Sequence, residues 1–452
     1  MPPSRSRKRT SAPPATTART RKCRRPAAAA LNDVAGAVLP PFSPPLWASL
    51  PEDLVCEIAW RVLSGDFLDY VRFRAVCTSW PVCPRGRVVA DPRFHPRRWM
   101  MLPEGHGVYP GHRKLRGYVR FFNLDTGTFV RVKLPLFSSH CALDSVDGLL
   151  LLQRDEDTGI RLVHPFTGDI AELPPLATLL PQVQNDPSVP RGRPSDPYWW
   201  WSFVRYCVCA TVSCSTGAIT VMLVFHYLRR VAFATSQQDR QWTMPSWEIP
   251  VNIAPLSLQG KLYLVPFPWD NGSLVFHMEV GSPPLPPKMI ATCPADKLYC
   301  GYYLVECDSQ ILLVGCTDSS MSHVLVYKLE DLILERYVPV TSIGDRALFL
   351  DDLSLSVSSK ALPTIIAETV VYTCPHFAQY RLSTGAWSQQ IDGYSDGFNP
   401  GPLSLVHHVI SCCIRNVWNK GLVYSEKETR KRGWLCWKVK RKLRIWVNLT
   451  HN

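Results

Sequence analysis

The chain has 452 residues, a formal net charge of +13 and 46% apolar residues, so it has enough material for a sizeable core and for two or three domains, or one large β domain with a small companion. Proline (40 residues) outnumbers glycine (25), which argues against long helices and for loops and strands. The two ends carry +9 each, in residues 1–30 and 415–446, which leaves the body at −5; basic ends suit nuclear import, a polyanionic surface or simply a solvated tail.

Residues 1–45 are Arg, Ser, Pro and Ala with almost no large apolar side chains, and they are expected to be disordered. The runs Arg5–Arg9 and Arg19–Arg25 fit a nuclear address, while an acid-free Arg/Ser terminus also fits an organelle transit peptide. Nuclear and/or cytoplasmic residence is the expectation, with the organelle as the alternative. No apolar stretch follows these charges as a secretory signal would, and none of the 16 cysteines falls in a C-x-x-C pair. The cysteines therefore read as small buried hydrophobes, and the sequons at Asn271 and Asn448 as chance matches.

Residues 46–85 form the helical block. Ser49 and Glu52 have capping-box spacing, Pro51 suits a first turn, and Glu52 and Asp53 suit the positive end of a helix. Leu54, Ile58 and Val62 make one apolar stripe; Val55, Ala59 and Leu63 make the adjacent one. Ser64-Gly65-Asp66 stops this helix and starts a second. Phe73, Val76, Cys77 and Trp80 then follow helical spacing until Pro81 and Pro84. Between Leu54 and Leu63 only Glu57 and Arg61 are charged. Two short helices cannot hide so wide an apolar surface on each other, so it docks on the β domain or on a partner.

From about residue 95 to 425 the pattern changes to short β runs. An apolar strand, a turn ending in Thr-Gly and a second apolar strand recur at Thr126-Gly127, Thr167-Gly168, Thr216-Gly217 and Thr384-Gly385. Glycine supplies the positive φ that such hairpins need. A second element recurs in Val146–Gln153, Leu258–Val265 and Cys307–Gly315: a polar turn, then a fully apolar strand, as an inner strand buried on both faces would be. The uncharged run Tyr206–Phe225 has the length of a membrane span, but Ser215-Thr216-Gly217 breaks it into two buried strands. Repeats of roughly 40–50 residues predict a β-propeller of about six or seven blades; a β-sandwich array is the rival.

Chemical motifs are sparse. The chain has no G-x-S-x-G, no G-x-x-x-x-G-K-[ST] and no H-E-x-x-H, and Gly105–Gly111 misses dinucleotide spacing. His407, His408, Cys412 and Cys413 could share a helix face, but no second ligand pair accompanies them, so they read as buried residues and no metal or cofactor is expected. The tail 426–452 mixes bases with Trp434, Trp437 and Trp446, a pattern also met in single-stranded nucleic-acid binding. It reads better as a peripheral extension.

The helical block resembles the F-box, which docks on the Skp adaptor of cullin-based SCF ubiquitin ligases. Leu50, Pro51, Asp53, Leu54, Ile58 and Leu63 carry the match in its first part, and Phe73, Arg74, Val76, Cys77 and Trp80 in its second. Cys56 and Trp60 stand where polar residues are commoner, and Pro81 replaces the usual base after the Trp. The stretches Asp91–Pro103, Phe121–Pro135, Leu143–Asp155, Leu162–Leu176 and Gly344–Ser358 resemble plant F-box proteins whose associated domain is taken to be a client-binding β-propeller. The resemblance implies a mainly β chain with a short N-terminal F-box, no catalytic residues, and two partners: the Skp adaptor with its cullin ligase, and an unknown client. The alternatives are a propeller enzyme such as a glycoside hydrolase, which needs two carboxylates at a fixed separation, or a nucleic-acid-binding regulator using the basic ends.

Overall fold

The computed structural model describes residues 49–413, apart from 78–79, 81–87, 103–117, 155, 185–207, 216, 226–227, 251–252, 267–273, 282–283, 295–296, 373–377 and 389–404. The expected disordered start, the basic tail, Pro81 and Pro84 lie outside the described residues. From Pro51 onward the helical block belongs to the same compact unit as the strands.

Helix α1 (Glu52–Gly65) and helix α2 (Phe67–Val76) open that unit. α1 starts later than the Ser49/Glu52 spacing predicts: Pro51 holds the N-cap position without a side-chain cap, and Val55 N–H bonds its carbonyl. Asp66 closes α1 and opens α2, as expected, by taking extended dihedrals and accepting from Leu68 N and Asp69 N. α2 ends sooner than expected, because Cys77 is already extended.

Six sheets follow in chain order. Blade 1 holds β1 (Trp99–Met101), β2 (Tyr118–Asn123) and β3 (Phe129–Lys133). Blade 2 holds β4 (His140–Val146), β5 (Leu149–Arg154), β6 (Ile160–Val163) and β7 (Ile170–Leu173). After the short helix α3 (Leu180–Gln184), blade 3 holds β8 (Val208–Ser215), β9 (Ala218–Phe225) and β10 (Arg230–Thr235). Blade 4 holds β11 (Ile253–Leu258), β12 (Lys261–Pro266), β13 (Leu274–Glu279) and β14 (Lys288–Thr292). Blade 5 holds β15 (Cys300–Cys307), β16 (Gln310–Cys316) and β17 (Val324–Lys328), followed by helix α4 (Leu329–Ile333). Blade 6 holds β18 (Arg346–Leu350), β19 (Leu355–Ser358), β20 (Thr369–Tyr372), β21 (Ala378–Arg381) and β22 (Ala386–Ser388).

The turn signals account for this pattern. Gly127, Gly168, Gly217 and Gly385 all have positive φ at hairpins, and the run from Tyr206 contributes the antiparallel pair β8–β9. The apolar strands β5, β12 and β16 each stand between two partners, as a two-sided buried strand should. The strand before each of their turns lies nearer the centre: β4 lies against β8, β8 against β11, β11 against β15, and β15 against β18 and β19.

Buried side chains join each sheet to the next. Leu151 and Leu162 pack with Val212 and Val221, Met222 and Val231 with Leu262 and Met278, and Val265 and Val275 with Leu304 and Leu313. Val314 and Val326 pack with Leu348 and Val370; Phe349 and Val371 then meet Met101, Phe121 and Leu150, which closes the ring. The fold is thus a β-propeller, with six sheets among the described residues. Its seam between blades 6 and 1 is covered by helix α5 (Leu405–Cys413). Cys413 C=O accepts from Leu353 N (2.9 Å), and the Cys412 thiol donates to Met101 C=O (3.5 Å). Ser358 N donates to Leu124 C=O across the same seam.

Candidate functional site

The helix pair is anchored on the propeller by one face. Ala59 and Leu63 of α1 and Phe67 and Tyr70 of α2 are buried in one cluster with Phe94, and Phe166 of the β6–β7 turn packs against it. Phe67 lies 5.7 Å from Phe166 and 4.8 Å from His164 between ring centroids; Phe166 also meets Trp99 edge-on. Asp66 fixes the joint. Besides capping α2, it accepts from Trp99 Nε1 (3.2 Å) and Asn123 Nδ2 (2.7 Å), both on blade 1. Asn123 in turn accepts from Asp125 N and Thr126 N through its side-chain oxygen, so the joint is tied to the β2–β3 hairpin.

The linker between helices and strands is pinned as well. Val89 N donates to Asp169, His164 Nε2 bonds the Phe94 carbonyl, and Thr167 N donates to His164 Nδ1. This pairing makes Nδ1 an acceptor and Nε2 the donor, so His164 is neutral. Burial pushes its pKa down to about 4. A Cβ on Gly148 would come 2.0 Å from the Pro96 carbonyl oxygen, which shows how closely the linker crosses the β4–β5 turn.

With that face used, the opposite one stays open. Leu54 (49% exposed), Ile58 (40%), Val71 (40%) and Val76 (55%) are large apolar residues in water on α1 and α2. Of the residues matching the F-box pattern, Pro51, Asp53, Leu54, Ile58, Arg74 and Val76 are exposed. Leu50, Phe73, Cys77 and Trp80 are half-buried, with Trp80 stacked on Phe73 at 4.5 Å. Leu63 is different: it is buried in the joint and faces the propeller. The two stripes noted in the sequence thus divide, Val55, Ala59 and Leu63 inward and Leu54 and Ile58 outward, while Val62, the last of the outer stripe, is half-buried against the joint. Val71 was missed, and its exposure follows from the side of α2 that Phe67 and Tyr70 turn inward.

A second polar locus lies where blades 5, 6 and 1 meet. Arg346 of β18 pairs with Asp125 and with Asp308 of the β15–β16 turn, while Arg98 donates to both Asp125 oxygens and to Ser356 C=O. Burial raises the Asp125 carboxyl, but the two guanidiniums outweigh it and hold it below the usual range. Burial pushes Glu306 up, opposed by Arg98 and helped by Asp147. Asp147 itself lies 3.7 Å from Arg97 Nε. Three of these four carboxylates face guanidiniums, an arrangement that ties blades together.

Among the described residues no group of three or more His, Cys, Asp or Glu side chains could hold a metal. Cys412, Cys413 and His408 are buried on α5, and burial holds the Cys413 thiol far above its usual pKa. No described helix is long and apolar enough to cross a membrane.

Residues 121–394 match the family described as the KIB1-4 beta-propeller. No curated protein matches the chain. A solved structure described as "Structure of YjhT" aligns over 47% of this chain and 65% of its own length, at 8% identity and a TM-score of 0.19. That alignment is too partial to bear on fold or function.

Proposed function

The chain belongs to the KIB1-4 beta-propeller family, and on that footing we propose that it is a client-recognition subunit of an SCF-type ubiquitin ligase. The helix pair would hold the Skp adaptor, and the propeller would hold the client. The observation that supports this most is the exposed stripe of Leu54, Ile58, Val71 and Val76 on helices already anchored by their other face. Each is already about half covered, so burying the rest contributes on the order of 1 kcal/mol per side chain, and the four together give a partner enough to bind a pair of short helices. The exposed helix face carries the F-box matches Leu54, Ile58 and Val76; Leu63 serves the joint instead. The chain needs no catalytic side chain in this role, since it raises the local concentration of client near a conjugating enzyme. The basic ends fit residence in the nucleus and/or cytoplasm.

A pull-down of the full-length chain with purified Skp adaptor tests the proposal. Wild type binds and Ile58→Asp does not, with the strand signal in circular dichroism unchanged. Equal capture of both would overturn the assignment.

A further inference from the structure

One face of blade 1 is basic and aromatic. In β2 and β3 the register pairs Tyr118 with Lys133, Arg120 with Arg131, and Phe122 with Phe129. These alternate positions share one side of the sheet. Tyr118 (41%) and Phe129 (46%) are exposed, as are Arg131 and Lys133, and Arg120 is half-buried. Neither strand contains an acid.

Bases directly opposite each other weaken a strand pair. At two other ladder positions the base does face an acid: Arg161 faces Glu172 at 2.9 Å, and Lys261 faces Glu279 at 3.3 Å. On blade 1 a base faces a base, and Arg131 and Lys133 form no ion pair among the described residues. Among the described residues β3 is also the edge strand of its sheet, with no further strand beside it.

We propose that this face of blade 1 docks an acidic, extended segment of a partner protein. The segment adds to the edge of β3, sets carboxylates against Arg131 and Lys133, and rests apolar side chains on Phe129 and Tyr118. Charge complementarity selects an anion, and the edge strand selects a peptide over a nucleic acid, which has no strand to add. The proposal does not depend on adaptor binding.

The test uses the full-length chain and a fluorescein-labelled peptide of alternating Glu and Val, about ten residues long, followed by fluorescence anisotropy. The basic ends contribute equally to every variant, so differences report on the blade. Wild type binds with an affinity that falls as salt rises, and Arg131→Glu/Lys133→Glu weakens binding at least about tenfold with the strand signal intact. Arg131→Ser/Lys133→Ser weakens it less, about three- to fivefold, which guards against a folding defect in the reversed variant. Unchanged affinity in both variants would overturn the proposal. So would an oligothymidylate of equal charge whose binding falls as much in the reversed variant, because the face would then read polyanions. Self-association of the Ser variant with unaltered peptide affinity would also overturn it, by showing that the two bases only guard the edge.

Discussion

Helices α1 and α5 are both rich in apolar residues, and the ring treats them differently. On α5, Val406, His408, Val409, Ile410, Cys412 and Cys413 are buried at the seam of blades 6 and 1. On α1, Val55, Ala59 and Leu63 are buried, while Leu54 and Ile58 face water. α5 is consumed by the fold; α1 has one face more than the fold uses. The difference teaches that apolar content marks a helix for burial, and that only its neighbours decide whether the protein itself supplies all of the cover.

The largest effect is expected on α5. Val409→Asp sets a carboxylate at a fully buried position between the first and last blades. Such a charge costs several kcal/mol. Urea unfolding followed by circular dichroism should show a loss of that size. A loss below about 1 kcal/mol would mean that α5 lies over the ring without closing it.

The two joints also titrate in opposite senses. His164, against Phe67 of α2, is held neutral with its pKa lowered to about 4 by burial. The unfolded chain takes up that proton near pH 6.5, so the contribution is complete above 6.5 and is lost as pH falls toward 4. Asp351, in the β18–β19 turn beside the C-terminal end of α5, is pushed up to about 7 by burial, and Asp352 adds to the rise. Its contribution is complete below about 3.8 and is lost as pH rises through 7. The ceilings are about 3 kcal/mol for His164 and about 4 kcal/mol for Asp351. In urea unfolding, His164→Gln should gain on wild type between pH 7 and pH 5, and Asp351→Asn should gain on wild type between pH 5 and pH 8. Parallel curves for either pair would remove that residue from its joint.

A smaller effect is expected at Asp66. Asp66→Ala removes the cap of α2 and leaves Trp99 Nε1 and Asn123 Nδ2 without their acceptor, a loss of about 2 kcal/mol. Hydrogen exchange should quicken across 52–76 and leave the blades unchanged. Uniform quickening would show that the helix pair and the ring unfold together.

The sequence was most legible where structure is local. The Thr-Gly turns, the split of Tyr206–Phe225 into two strands and the break at Asp66 depend on a few adjacent residues, and all three are present, with Thr216 itself outside the described residues. The division of α1 into inner and outer stripes was not legible. Both stripes have helical spacing, and the choice between them is made by Phe94 and Phe166, far along the chain. Asp66 read as a helix stop because its second oxygen works on Trp99 and Asn123, which only the fold brings near. The His/Cys pairs of α5 read as buried residues in the sequence, and the described ones, His408, Cys412 and Cys413, are buried.

The central claim is that the outer stripe of α1 belongs to a partner and the inner stripe to the ring. Titration calorimetry of purified Skp adaptor against full-length wild type and Ile58→Asp, with thermal melts of both proteins, tests it most directly. A carboxylate at Ile58 should weaken the adaptor at least about tenfold. The melting temperature should move by no more than about 2 °C, because the 40% exposed side chain holds little of the fold. Unchanged adaptor affinity, or a melting temperature that collapses with the substitution, would contradict the claim.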